Sequence, residues 1–148
     1  MTSAQQVDSL ALANRLRPVL LQLARNLRRE THALGITGGQ AAILAAIHSH
    51  PGIGVNALAV REGMAAASIS GHIDRLAAAG LVERERADSG DRRRVGLRVT
   101  RSGVRALEGV RSRRTAWLAQ RLKSLDEAEL ERIDAALDAL ARIPEVPR

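Results

Sequence analysis

A mainly α chain with one small β-hairpin is the fold class this sequence predicts. Three observations carry it. The composition is rich in Ala and Arg and has a single aromatic residue, Trp117, which suits long helices over an aliphatic core. Two short amphipathic stretches, Val55 to about Glu62 and about Ala66 to Ala79, are separated by a turn at Gly63. They have the proportions of a helix-turn-helix. After Gly80 the hydrophobic period shortens from the helical repeat to strict alternation, first in "LVERERA" and then in "RVGLRVT". A hairpin after a helix-turn-helix is a wing, so the expected architecture is a winged helix-turn-helix flanked by terminal helices.

Each element has a local cause. From Val7 to Leu34, Leu16, Val19, Leu20, Leu23 and Leu27 line one helical face. Pro18 interrupts that pattern and should kink the helix or open a second one. Gly35 is a stop signal. Thr37 and Gln40 have capping-box spacing at the start of the next helix. Ile43, Leu44 and Ile47 form its apolar stripe, and Pro51-Gly52 ends it. Val55, Leu58 and Ala59 point inward from the following short helix, then Ile69, Ile73 and Leu76 from the next. Gly80 closes that helix, with Leu81 folding back on it. In the returning strand, Val95, Leu97 and Val99 should share one buried face. Thr100 can cap a long helix to about Lys123. Asp126 is a good N-cap for a last helix, whose Leu130, Ile133, Leu137 and Leu140 recur like a heptad seam.

This divides the chain into a terminal helix at 1–35, a compact lobe at 36–100 and a helical pair at 101–148. The terminal helices carry apolar stripes and are far apart in sequence. The expected partner for them is a second copy of the chain, giving a homodimer.

Composition excludes several function classes. Without cysteine there is no disulfide, thiolate zinc site or thiol redox sensing. No basic leader followed by an apolar core opens the chain, and no apolar run approaches the ~20 residues of a membrane span. A cytoplasmic chain with no membrane partner is expected. The net charge is +7, and residues 101–123 carry seven basic side chains against one acidic. A basic excess raises the expectation of a polyanionic partner. The basic segment 101–123 and the acidic one after it are expected to pair within and between subunits, with Arg101 or Arg105 the alternative phosphate contacts.

Candidate sites follow. "DSGDRRRVGLRVT" holds Asp91, Arg92, Arg93 and Arg94 between the strands. It reads as a solvated tip or as a loop that reaches a polyanion, and its place after a helix-turn-helix favours the second. On the helix from Ala66, the side chains able to read base edges are chiefly Ser68, Ser70, His72 and Arg75. Other constellations fail on context. "GIGVNA" resembles a dinucleotide fingerprint but follows a helix rather than a strand. His48 and His50 point to different faces, and no metal or cofactor is expected. Ser70, His72 and Asp74 are triad types, but one helix turns His72 away from the other two. No enzyme constellation remains.

The run Leu76, Gly80, Leu81, Val82, Arg84, Asp91, Arg92, Arg93, Leu97, Val99, Thr100 and Gly103 resembles the signature of the multiple-antibiotic-resistance regulator (MarR) family. The resemblance covers Ile36 to Leu107. It implies a homodimeric winged-helix transcription regulator on double-stranded DNA, with the helix from Ala66 in the major groove and the hairpin tip in the minor groove. It also implies that Asp91 braces Arg93, that the terminal helices form the dimer, and that a small-molecule effector binds between lobes. The effector-binding residues are left unassigned; Arg15 or His48 has the chemistry to bind an anion in such a crevice. The sequence departs from the family pattern at Ala65, Ala66 and Ala67, at Ser70-Gly71, and at Gly54. Two function classes are therefore carried forward: a repressor-like DNA-binding regulator, and a winged-helix module that docks an acidic protein.

Overall fold

A computed structural model describes residues 7–86 and 95–145. The chain forms two compact units, residues 1–114 and 115–148. The elements are α1 (Ser9–Arg29), α2 (Gly38–Ser49), α3 (Val55–Glu62), α4 (Ala66–Ala78), β1 (Val82–Arg86), β2 (Val95–Val99), α5 (Arg101–Leu122) and α6 (Glu127–Arg142).

α1 begins at Asp8, whose carboxylate accepts the Leu10 N–H at 3.0 Å. Pro18 lies inside one uninterrupted helix, so no second helix starts there. α1 stops five residues short of the expected Leu34. Thr31, fully buried, turns its hydroxyl onto the Arg28 carbonyl at 2.8 Å, and a 3-10 turn at His32–Leu34 leads to Gly35 at φ +72°. Arg114 Nε donates to the Leu27 carbonyl and Arg113 Nε to that of Glu30, each at 3.1 Å. These two arginines satisfy carbonyls that a helix C-terminus leaves without partners. Arg113 also pairs with the Glu30 carboxylate at 3.7 Å. Part of the basic excess of residues 101–123 is thus structural, and it acts on the end of α1.

The core of the first unit is aliphatic. Ile43, Leu44 and Ile47 of α2, Leu58 of α3, Ile69, Ile73 and Leu76 of α4, Val82 of β1 and Leu97 of β2 are buried together. Each such side chain contributes ~1.5–3 kcal/mol when removed from water. The capping box forms as its spacing predicts: Gln40 N–H meets the Thr37 hydroxyl at 3.1 Å and Thr37 N–H meets the Gln40 side chain at 2.9 Å. α3 has no side-chain cap, since Gly54 stands at its start.

Gly63 and Gly80 close α3 and α4 with left-handed φ of +62° and +71°. At the second, Gly80 N–H reaches the Ala77 carbonyl and Leu81 N–H the Leu76 carbonyl, both at 2.9 Å. This is the double bond of a Schellman stop.

β1 and β2 pair antiparallel, from Val82 opposite Val99 to Arg86 opposite Val95. The expected burial of one face fades along β2. Leu97 is fully covered, Val99 partly, and Val95, toward the tip, is 40 % exposed. A third edge is present that alternation did not predict. Gly52 N–H donates to the Leu97 carbonyl at 2.8 Å, and Leu97 N–H to that of Ile53 at 3.0 Å. It explains Gly96, because a Cβ there would lie 2.8 Å from the Gly52 carbonyl oxygen.

In the second unit, Asp126 and Glu129 form a full reciprocal capping box at 2.8 and 3.0 Å. Leu130, Ile133 and Leu137 of α6 are exposed. Leu125, Ile133, Ala136 and Leu140 line an open apolar groove of about 400 Å³, edged by Glu129 and Arg132. The Arg121 guanidinium sits 5.3 Å from the Trp117 ring centre, a cation–π contact. Among the described residues, no helix is long and apolar enough to cross a membrane.

Candidate nucleic-acid interface

α3, the Gly63 turn and α4 place one helix on the outside of the lobe. Ile69, Ile73 and Leu76 fix which side of α4 faces in. The opposite side then presents Ser68 and Arg75, both exposed and seven residues apart, hence two turns along one face. Gly71 lies between them, three residues after Ser68 and four before Arg75. Ser70 and His72 are only partly exposed.

His72 turns toward the start of α2: a Cβ placed on Gly39 would meet its Cε1 at 3.4 Å. Its Nδ1 is buried without a hydrogen-bond partner among the described residues. The four expected base readers therefore differ in exposure. Ser68 and Arg75 share the outward face, and Ser70 and His72 flank the buried ridge. Asp74 is held by Arg84, so Ser70, His72 and Asp74 do not form a relay.

That Asp74–Arg84 pair is the feature sequence reading missed. Arg84 Nη2 donates to Asp74 Oδ1 at 2.7 Å, joining the outer helix to the first wing strand. Both side chains are about half exposed or more, so the pair contributes only ~0–1 kcal/mol of stability. Its effect is on geometry. Thr100 makes a second tie: its hydroxyl donates to the Gly80 carbonyl at 2.7 Å and accepts the Gly103 N–H at 3.0 Å. Its own N–H reaches the Leu81 carbonyl at 3.0 Å. The expected helix cap thus also clamps the end of α4 to the end of β2. Gly103 has no room for a side chain, because a Cβ would overlap the Leu81 carbonyl. Arg98 pairs with Glu85 across the hairpin.

Asp91, Arg92, Arg93 and Arg94 lie outside the described residues. The strands that carry them end at Arg86 and Val95, directly opposite each other. Arg101 and Arg105 are exposed at the start of α5. Gly71 differs from the other glycines noted above. Its φ is not positive, and among the described residues a methyl group on its Cα would meet no heavy atom within 4 Å. Gly in a helix interior costs about 1 kcal/mol relative to Ala, and nothing in the lobe requires it here.

Known proteins agree with this geometry. A family model described as MarR family matches residues 34–94, from the end of the 3-10 turn through the arginine run that precedes β2. An HTH-type transcriptional regulator of Mycobacterium tuberculosis is 31% identical over 137 residues, covering 92% of this chain and 95% of the relative. The crystal structure of a putative transcriptional regulator from Pseudomonas aeruginosa superposes with a TM-score of 0.81 at 29% identity, over 99% of this chain and 100% of that one. A crystal structure of MarR gives 0.69 at 30% identity, over 86% of this chain and 95% of that one. With 31% identity across nearly the whole length of the mycobacterial relative, and with the same fold, the chain belongs to the MarR family of winged-helix transcriptional regulators.

Proposed function

We propose that the chain acts as a homodimeric repressor that binds a pseudo-palindromic site on double-stranded DNA. The observation that supports this is the outward face of α4, which carries Ser68 and Arg75 on a helix tied to the wing by Asp74–Arg84 and Thr100. α4 enters the major groove, where an arginine pairs bidentately with guanine. Ser70 and His72 contribute at its edges. Arg93, braced by Asp91, enters the minor groove, and Arg92 and Arg94 meet phosphates. A guanidinium is always charged and weakly hydrated, which suits a narrow, negative groove.

Uncovered apolar side chains support the dimer. α1 exposes Leu10, Leu12, Val19, Leu20 and Leu21, and α6 exposes Leu130, Ile133 and Leu137. Residues 1–35 and 101–148 are the proposed dimerisation segments. Two copies place their outer helices about one DNA turn apart, ~34–36 Å. A small anionic or lipophilic effector releases the DNA by favouring a dimer of different spacing, which requires different affinities for the two shapes. The protein works in the cytoplasm, without a cofactor, and is not an enzyme.

Selection of bound duplexes from a random pool tests the reading. It should return an inverted repeat with half-sites one turn apart. A pool that stays random after repeated rounds, together with binding to acidic proteins, would replace DNA by the acidic partner.

A further inference from the structure

We infer that Gly71 is the point where α4 comes closest to the floor of the major groove, and that its missing side chain is a determinant of sequence choice. This rests on the DNA-binding reading above. The interior of the lobe does not call for a glycine. Gly71 has an ordinary helical φ, and a methyl group on it would touch none of the described residues within 4 Å. Alanine would therefore fit the folded lobe and favour the helix.

The glycines around it have causes within the fold. Gly63 and Gly80 take positive φ at helix ends, and Gly96 and Gly103 lie against backbone. Gly71, itself partly buried, lacks any such cause among the described residues and lies on the outward side of α4, one turn from both Ser68 and Arg75. Those two side chains are short and long respectively. For Ser68 to reach a base edge at all, the helix axis must lie deep in the groove. At that depth the residue between the two readers has room for a hydrogen but not for a methyl group. Arg75 can bend to suit the same depth.

The two environments make opposite demands on one atom, which gives a test with two readouts. The full chain and its Gly71→Ala variant are compared by thermal melting. Their binding is then compared on the duplex that the unaltered chain selects from a random pool, and on a duplex of scrambled sequence. The variant should melt a few degrees higher. It should bind the selected duplex at least ~10-fold more weakly while its affinity for the scrambled duplex changes less than ~2-fold.

Equal or tighter binding of the selected duplex would overturn the inference, and so would a lowered melting temperature, which would show that the lobe itself needs the glycine. Equal losses on both duplexes would place sugar-phosphate rather than base edges against Gly71 and overturn its role in sequence choice. If the unaltered chain selects no sequence, the DNA-binding reading fails first and this inference with it. If it does select one and the variant binds that duplex unchanged, only the inference falls.

Discussion

Thr100 shows how one side chain can serve two elements. Its hydroxyl caps α5 through the Gly103 N–H and reaches back to the Gly80 carbonyl at the end of α4. The capping role was legible, because a Thr before a helical run is a local signal. The bond to Gly80 was not, since it spans 20 residues and depends on the hairpin bringing both ends together. Replacing Thr100 with Val removes both bonds at constant volume and leaves a donor and an acceptor without partners. The expected loss is ~1–3 kcal/mol of unfolding free energy in urea titration. An unchanged midpoint would mean that water replaces the hydroxyl at no cost. Gly103 and Gly96 teach the same lesson. Each is required by a backbone that comes close from a distant part of the chain, Leu81 in one case and Gly52 in the other.

Between elements, what matters is how α4 is held relative to the wing. Asp74 and Arg84 lie on either side of the Gly80 stop, and their carboxylate–guanidinium contact joins α4 to the first wing strand. Asp74→Asn or Arg84→Gln should change the melting temperature little, because an exposed pair is worth ~0–1 kcal/mol. The same variants should weaken binding to the selected duplex several-fold, and the exchange Asp74→Arg with Arg84→Asp should recover part of it. Variants that bind as tightly as the unaltered chain would reduce the pair to surface decoration. The helices and caps of this lobe were readable because their causes lie within one or two turns: Thr37 with Gln40, Asp126 with Glu129, glycine at each stop. The edge at Ile53 was not. It pairs with Leu97 across 44 residues, and a single bridge leaves no alternation to detect. His72 is only partly exposed: the helix phase set by Ile69, Ile73 and Leu76 turns it toward α2.

At the scale of the whole molecule, charge and apolar surface have separate uses. The seven basic side chains of residues 101–123 looked like a field for nucleic acid or for the acidic segment that follows. Arg113 and Arg114 instead bind the end of α1, a use hidden from sequence because the partners lie more than 80 residues away. The exposed leucines of α1 and α6 account for the proposed dimer. Leu20→Glu with Leu137→Glu should give a folded monomer in sedimentation experiments, with helicity retained and affinity for an inverted repeat sharply reduced. A variant that still sediments as a dimer would move the interface elsewhere. Sequence alone sufficed for the family and the order of elements, because the pieces of the wing signature from Leu76 to Gly103 fall in a specific order and spacing. It could not show that His72 lies against the start of α2, since Gly39 and His72 are 33 residues apart.

The most direct test of the central claim, that this lobe chooses DNA sequence through the outward face of α4, is a binding comparison at one fixed salt concentration. The unaltered chain and Arg75→Ala are titrated onto the selected duplex and onto a scrambled one. The unaltered chain should prefer the selected duplex by ~10³ or more. Arg75→Ala should lose ~1–3 kcal/mol on the selected duplex and relax the preference at one position of the site. Equal affinity of the unaltered chain for both duplexes, or an Arg75→Ala variant that keeps the full preference, would contradict it.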